Sequence, residues 1–221
     1  DVYKRQEIKD HDFSEEIPMT LSKGDLLLFH SFLMHKSYDN NSNFRRTAMV
    51  YHFAETGTNF GDIDSPIMLI GEAPDEKEDL EAKTFCGDVG VLLNKMLLAI
   101  KIKREKVYST YSINFRPPND RKPTTQEIKR YSIFLKEHIS IIDPKILILM
   151  GTTAMEAVTG LGNQISNERG NWKEIIIGNK TIPVIITFNP SYLIRYPDKK
   201  KFSWEDLKKI RKKVEDLNIT I

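Results

Sequence analysis

Polar side chains able to do chemistry follow several apolar segments in the later part of this sequence. Glu72 comes directly after the apolar run 66–71, and Asn114 and Asn189 follow two later β-rich runs. A carboxylate can orient a water molecule or stabilise a developing positive charge, and an amide N–H can stabilise a developing negative charge. Because ligands bind beyond the carboxyl ends of parallel strands, we expect these side chains to share one edge of a sheet.

The elements that must position these residues alternate between strand and helix patterns. Strand-like runs occupy residues 66–71, 107–113, 145–150, 172–177 and 181–187, and helical patterns occupy 89–100, a segment from Thr124, 151–159 and a segment from Ser203. Thr124 and Glu127 have the spacing of a capping box, and Gly178–Asn179 is typical of a hairpin turn. Alternating units of this kind predict a largely parallel sheet with helices on both faces.

The last helical pattern has its own predicted start and buried face. We expect Ser203 to cap it, with a buried face listed as Trp204, Leu207, Ile210 and Val214.

Composition narrows the class of protein. The 221 residues are 40% hydrophobic and 29% charged, which is typical of a globular chain and excludes a disordered or low-complexity one. The apolar runs are too short to cross a bilayer, so no membrane association is expected. The single cysteine, Cys86, can neither close an internal disulfide nor hold a metal cluster alone. We therefore expect a cytoplasmic monomer without a metal site.

The sequence patterns predict a separate β-rich piece at residues 1–60, followed by a second domain at 61–221. The pattern from Gly24 to Arg46 resembles the carboxy-terminal part of phytanoyl-CoA dioxygenases, which are jelly-roll enzymes that use Fe(II) and 2-oxoglutarate. His35 matches the distal iron ligand of that family, and Arg46 matches its 2-oxoglutarate-binding arginine. Because residues 1–34 contain no His-x-Asp pair, the iron site is incomplete and we expect an inactive jelly-roll remnant. A dioxygenase fragment is the alternative interpretation.

Residues 64–221 carry a second set of motifs in a fixed order. They are Gly71-Glu-Ala-Pro-Asp-Glu-Lys-Glu-Asp79, Phe85-Cys-Gly87, Arg116-Pro-Pro-Asn-Asp-Arg-Lys-Pro-Thr124, Arg169-Gly-Asn-Trp172, Pro190-Ser-Tyr-Leu-Ile-Arg195 and Trp204-Glu-Asp-Leu207. Together they resemble family 4 uracil-DNA glycosylases. The resemblance implies a three-layer α/β/α sandwich around a four-stranded parallel sheet. It also implies a DNA repair enzyme that flips uracil out of DNA and hydrolyses its N-glycosidic bond.

The resemblance assigns roles to particular residues. The implied catalytic residues are Glu72, Glu78 and Asn189; the implied uracil pocket is Gly71, Ala73, Phe85, Tyr111 and Ser191; the implied DNA contacts are Arg116, Arg121, Arg169 and Arg195. Phe85 matches the aromatic residue on which the base stacks. For Arg169 and Arg195, a structural ion pair is the alternative role, and for Glu78 it is a solvated surface acid.

This sequence departs from the family pattern at the ligands of an iron–sulfur cluster and at two positions of the uracil pocket. Many members hold an iron–sulfur cluster with four cysteines, and two of those positions are Phe115 and Tyr131 here. The resemblance therefore implies that the cluster is absent. Tyr111 replaces the asparagine that reads the uracil edge, and Asn189 replaces a histidine that bonds uracil O2. A catalytically weakened DNA-binding relative is thus the alternative to an active glycosylase.

Overall fold

The computed structural model describes residues 61–220, so the predictions for residues 1–60 lie outside the part that is described. Five strands form one sheet in the order β2-β1-β3-β5-β4. They are β1 (Ile67–Gly71), β2 (Tyr108–Tyr111), β3 (Ile146–Met150), β4 (Trp172–Ile177) and β5 (Lys180–Thr187). Strands β1, β2, β3 and β5 are parallel, while β4 pairs antiparallel with β5 at the sheet edge. The predicted four parallel strands and the predicted hairpin are both confirmed.

The central strands are apolar because both of their faces are covered. All residues of β1 and β3 are buried. Strands that are buried on both faces are typical of parallel sheets between helical layers. The register pairs Gly71 with Tyr111 and Met150 with Thr187, so the carboxyl ends of the four parallel strands lie at one edge.

Seven α-helices and three short 3₁₀ turns connect the strands within the described residues. The helices are α1 (Glu76–Leu80), α2 (Gly87–Ala99), α3 (Thr125–Ile142), α4 (Thr152–Thr159), α5 (Ile165–Glu168), α6 (Pro190–Arg195) and α7 (Lys200–Asp216); the 3₁₀ turns are Arg104–Lys106, Pro118–Asp120 and Pro197–Lys199. Helices α2, α6 and α7 contribute to the hydrophobic core on one face of the sheet. Helices α3 and α4 contribute to the core on the other face. The three-layer α/β/α architecture is therefore confirmed.

Helix α3 begins where the sequence predicts. The Thr124 side chain accepts the N–H of Glu127, and the Glu127 carboxylate accepts the N–H of Thr124, which completes the capping box. The helix ends at Asp143 in the left-handed conformation, with φ of +53°. Pro144 follows and cannot continue the helix.

Two predictions for helix α7, its first residue and its buried face, were wrong. It begins at Lys200 and not at Ser203, because the 3₁₀ turn Pro197–Lys199 leads directly into it. Ser203 is therefore inside the helix and buried, at the spacing shared by Leu207, Ile210 and Val214. Trp204 lies one residue off this face and is 43% exposed, so its predicted burial was wrong. None of the helices in residues 61–220 is both long enough and apolar enough to cross a membrane.

Candidate active site

Glu72 lies at the carboxyl edge of the sheet, in the first position after β1. Its Oε1 accepts the backbone N–H of Thr153, in the first turn of α4, at 3.1 Å. A Cβ atom on Gly151 would lie 2.4 Å from Glu72 Cδ, and the φ of Gly151 is +107°, so both space and conformation require glycine there. The positive end of the helix dipole stabilises a carboxylate at this place.

Asn189 fixes the other oxygen of this carboxylate. Its Oδ1 accepts the N–H of Ser191 at 3.0 Å and the hydroxyl of Ser191 at 3.1 Å, which caps α6. Its Nδ2 therefore faces the sheet edge, where it lies 3.3 Å from Glu72 Oε2 and 3.5 Å from the carbonyl oxygen of Met150. The orientation of the amide is thus determined by hydrogen bonds on both of its sides.

Two aromatic rings pack beside Glu72, over Gly71. Phe85 and Tyr111 are 4% and 6% exposed, and their ring centroids are 5.1 Å apart. A Cβ atom on Gly71 would lie 2.7 Å from Phe85 Cζ and 2.8 Å from Tyr111 Cδ1, so only glycine permits this packing. The guanidinium of Arg104 lies 5.8 Å from the Phe85 centroid, within the range of a cation–π interaction.

The loop between β1 and α2 is tied to β2 through the Tyr111 hydroxyl. This hydroxyl accepts the N–H of Phe85 at 2.8 Å and lies near the Glu78 side chain. Glu78 Oε2 also accepts the N–H of Asp75 at 2.9 Å, in a capping box that opens α1. Burial raises the pKa of Glu78 above its usual value, and burial next to Glu78 raises the pKa of Tyr111. Glu78 is buried, so the interpretation of Glu78 as a solvated surface acid was wrong.

Two of the predicted DNA-binding arginines lie in the loop between β2 and α3. Arg116 pairs with Asp120, with 2.7 Å between Nε and Oδ1. Arg121 forms two hydrogen bonds to the Glu127 carboxylate, at 2.8 Å and 2.7 Å. These bonds are the main cause that lowers the pKa of Glu127 to about 2. Arg116 thus has its carboxylate partner within the loop, and Arg121 has its partner in the first turn of α3.

The other two predicted arginines have different surroundings. Arg169 pairs through Nε and Nη2 with Asp206, which is fully buried and also accepts the hydroxyl of Thr187 at 2.8 Å. Burial raises the pKa of Asp206, and the bonds from Arg169 oppose this shift. Arg195 is exposed at the end of α6, where its Nε lies 3.4 Å from the Ser191 carbonyl oxygen.

The predicted site residues thus divide into groups. Hydrogen bonds join Glu72, Asn189 and Ser191. The neighbouring cluster contains the rings of Phe85 and Tyr111 together with Gly71 and Glu78. The half-buried Ala73 packs against the α3–α4 core. The contacts above link Arg116, Arg121 and Arg169 to three different carboxylates.

The sequence model described as the uracil DNA glycosylase superfamily matches residues 58–210, which is more than half of the chain. This chain belongs to the uracil DNA glycosylase superfamily. A second model, described as phytanoyl-CoA dioxygenase, matches residues 1–48.

Several curated members of the superfamily are similar to this chain. The type-4 uracil-DNA glycosylase of Thermotoga maritima is 40% identical over 136 residues, which cover 61% of this chain and 69% of that protein. The type-4 enzyme of Archaeoglobus fulgidus is 32% identical over 164 residues, covering 71% and 82% respectively. The type-4 enzyme of Sulfurisphaera tokodaii is 37% identical over 153 residues, covering 66% and 68%.

The iron–sulfur cluster implied for many members of this superfamily does not fit the residues present. At two of the cysteine positions, the rings of Phe115 and Tyr131 pack together with 5.1 Å between their centroids. Cys86, the single cysteine of the sequence, is buried beside Phe85. Across residues 61–220, no group of three or more His, Cys, Asp or Glu side chains could hold a metal ion. Aromatic packing therefore replaces thiolate ligands at these positions.

Sequence reasoning missed two parts of the site. Thr153 contributes only its backbone N–H, so the type of its side chain gives no signal in the sequence. Gly151, between β3 and α4, was the available signal, because a helix that starts at the carboxyl end of a strand presents free N–H groups there. Arg104 precedes β2 by sequence and reaches Phe85 only through its long side chain.

Proposed function

We propose that this chain is a uracil-DNA glycosylase acting in base excision repair. The observation that carries the proposal is the Glu72 carboxylate, held at the carboxyl edge of the sheet by Thr153 and Asn189. The names of the similar curated proteins support uracil in DNA as the substrate. The base must first leave the duplex stack, at a cost of a few kcal/mol.

The proposed reaction breaks the bond between C1′ of deoxyribose and N1 of uracil. The bonding electron pair leaves with uracil, so positive charge develops on the sugar and negative charge develops on uracil O2. Glu72 stabilises the sugar cation and orients a water molecule, which adds to C1′ and releases a proton to solvent, while the uracil anion takes up a proton from solvent. A carboxylate that already accepts two N–H donors is fixed in place before the substrate arrives.

Asn189 is proposed to act on the leaving base. Its Nδ2 carries two hydrogens, one directed at Glu72 and one near the weak 3.5 Å contact with Met150. With the amide held in this orientation, the second hydrogen can be donated to uracil O2 at little cost, because its 3.5 Å contact with Met150 is a weak hydrogen bond. Ser191 supports this role by fixing the amide oxygen.

The remaining pocket residues are proposed to hold the base. Phe85 is proposed to provide the stacking surface, Gly71 to leave room for the Phe85 ring, and the small Ala73 to let the base approach the backbone after β1. Glu78 is proposed to act on the loop and not on the substrate, since its buried carboxylate accepts the N–H of Asp75.

DNA is proposed to lie across the edge formed by the Pro-rich loops. Arg195, which is exposed, and Arg116 and Arg121 are the proposed phosphate contacts. Arg169 is proposed to be structural, because it neutralises the buried Asp206. A monomeric, cytoplasmic enzyme is part of the same proposal, supported by the single cysteine and a DNA substrate.

The test is conversion of a single-stranded oligonucleotide that contains one uracil. With enzyme in excess, we expect alkali-labile abasic sites, and none in a matched oligonucleotide that carries thymine. The second candidate, a weakened DNA-binding relative, is favoured by Tyr111, which covers Phe85. Binding of both oligonucleotides without any abasic product would support that candidate and contradict the glycosylase.

A further inference from the structure

We propose that Tyr111 is a plug that occupies the stacking surface of Phe85 in the resting protein, so that the pocket opens only when the Tyr111 ring moves away. The proposal rests on the proposed function, because it takes Phe85 as the surface on which the flipped uracil stacks. It concerns the regulation of that same pocket by one side chain of this chain.

The Tyr111 ring lies against the Phe85 ring. Interacting aromatic rings have centroids about 4.5–7 Å apart, and the Tyr111 ring packs against Phe85 at 5.1 Å, tilted by 37°. Both side chains are nearly fully buried, at 4% for Phe85 and 6% for Tyr111. The Arg104 guanidinium also lies over the Phe85 ring. A base therefore gains the Phe85 surface only by displacing a neighbour that is already there.

The Tyr111 ring is also held in place by its hydroxyl. The Tyr111 hydroxyl accepts the N–H of Phe85 at 2.8 Å, so the ring is tied at its far end. Phe85 itself has a φ of +49°, in the left-handed region that a phenylalanine rarely adopts. The bond from its N–H to Tyr111 stabilises this conformation. This hydrogen bond must break before the ring can leave with the loop in place.

A side chain that occupies the pocket competes with the base. The apparent affinity for the base is then the affinity of the open state multiplied by the fraction of molecules that are open. The buried hydrogen bond from the Phe85 N–H to the Tyr111 hydroxyl favours the closed state by up to about tenfold. Tyr111 thus sets how strongly this protein holds an extrahelical base. This effect differs from that of a positioning residue, which would improve binding by holding Phe85 in place.

Replacing Tyr111 by phenylalanine separates the two roles. The Tyr111→Phe variant keeps the ring but removes the hydroxyl. If Tyr111 is a plug, its ring is held less firmly and uracil binds more tightly; if Tyr111 positions Phe85, uracil binds more weakly. We expect calorimetric titration with free uracil to show about tenfold tighter binding than wild type. Tyr111→Ala removes the ring, and we expect binding at least as tight as that of the phenylalanine variant.

Tyr108→Phe is the matched control. Tyr108 lies on the same strand but packs on the opposite face of the sheet, where its hydroxyl bonds to His138 at 2.7 Å. We expect its uracil affinity to equal that of wild type. Thermal unfolding of each variant identifies any that fail to fold.

The outcomes separate this proposal from the proposed function. Weaker or equal uracil binding by folded Tyr111→Phe would overturn the plug, even if the wild-type protein releases uracil from DNA. If no variant forms abasic sites but Tyr111→Phe binds uracil more tightly than wild type, the plug is supported and the glycosylase proposal fails.

Discussion

Replacing Glu72 by glutamine tests the central group of the proposed reaction. The two side chains have nearly the same shape, but glutamine has one acceptor oxygen and one NH₂ group in place of two carboxylate oxygens. Two donors, the Thr153 N–H and the Asn189 Nδ2, converge on Glu72. Asn189 cannot turn its oxygen toward the new NH₂ group, because that oxygen accepts two bonds from Ser191. One donor therefore loses its acceptor.

The expected magnitudes follow from this geometry. One unsatisfied donor destabilises a protein by about 1–3 kcal/mol, and the half-buried position of Glu72 favours the lower end. Loss of a charged group that assists proton transfer lowers the rate by roughly 10²–10⁴-fold, or about 2.7–5.4 kcal/mol of transition-state stabilisation. The rate should thus fall by more than the loss of stability explains.

The assay is single-turnover release of uracil from a single-stranded oligonucleotide, with thermal unfolding measured in parallel. Glu137→Gln is the matched control, because Glu137 is exposed on α3, and we expect its rate to stay within about twofold of wild type. A folded Glu72→Gln protein within threefold of the wild-type rate would refute the catalytic role. Glu72 would then serve only to join α4 and α6.

Three further outcomes are expected. Because Arg121 lowers the pKa of Glu127 from 4.5 to about 2, the pair stabilises the fold above pH 4.5 and loses this effect as the pH falls toward 2. Glu127→Gln should therefore lower the melting temperature at pH 7, with the difference from wild type disappearing near pH 2; an unchanged difference would contradict this. The double change Tyr111→Asn with Asn189→His should raise the single-turnover rate at least about tenfold, and equal rates would show that these are not the pocket positions. Anaerobically purified protein should lack iron–sulfur absorption near about 400 nm, whereas stoichiometric iron and sulfide would refute the replacement of the cluster by aromatic packing.

Several elements could be predicted from the sequence because their signals are local. Strands β1 and β3 are uninterrupted apolar runs, as burial on both faces requires. The capping box at Thr124 and the turn at Gly178–Asn179 depend on residues at most three positions apart. The order of the motifs likewise needs no coordinates, and it indicated the family that the comparison confirmed.

The tertiary structure decided which side chains meet. Glu72 contacts Thr153 and Asn189 across 81 and 117 positions of sequence, and Asn189 is oriented by the start of α6. Tyr111 covers Phe85 because the register of β2 places it beside Gly71, which has no side chain to keep the rings apart. A pattern in the sequence specifies the face of a strand or helix, but long-range contacts depend on which elements pair and at what register, and only the folded chain fixes both.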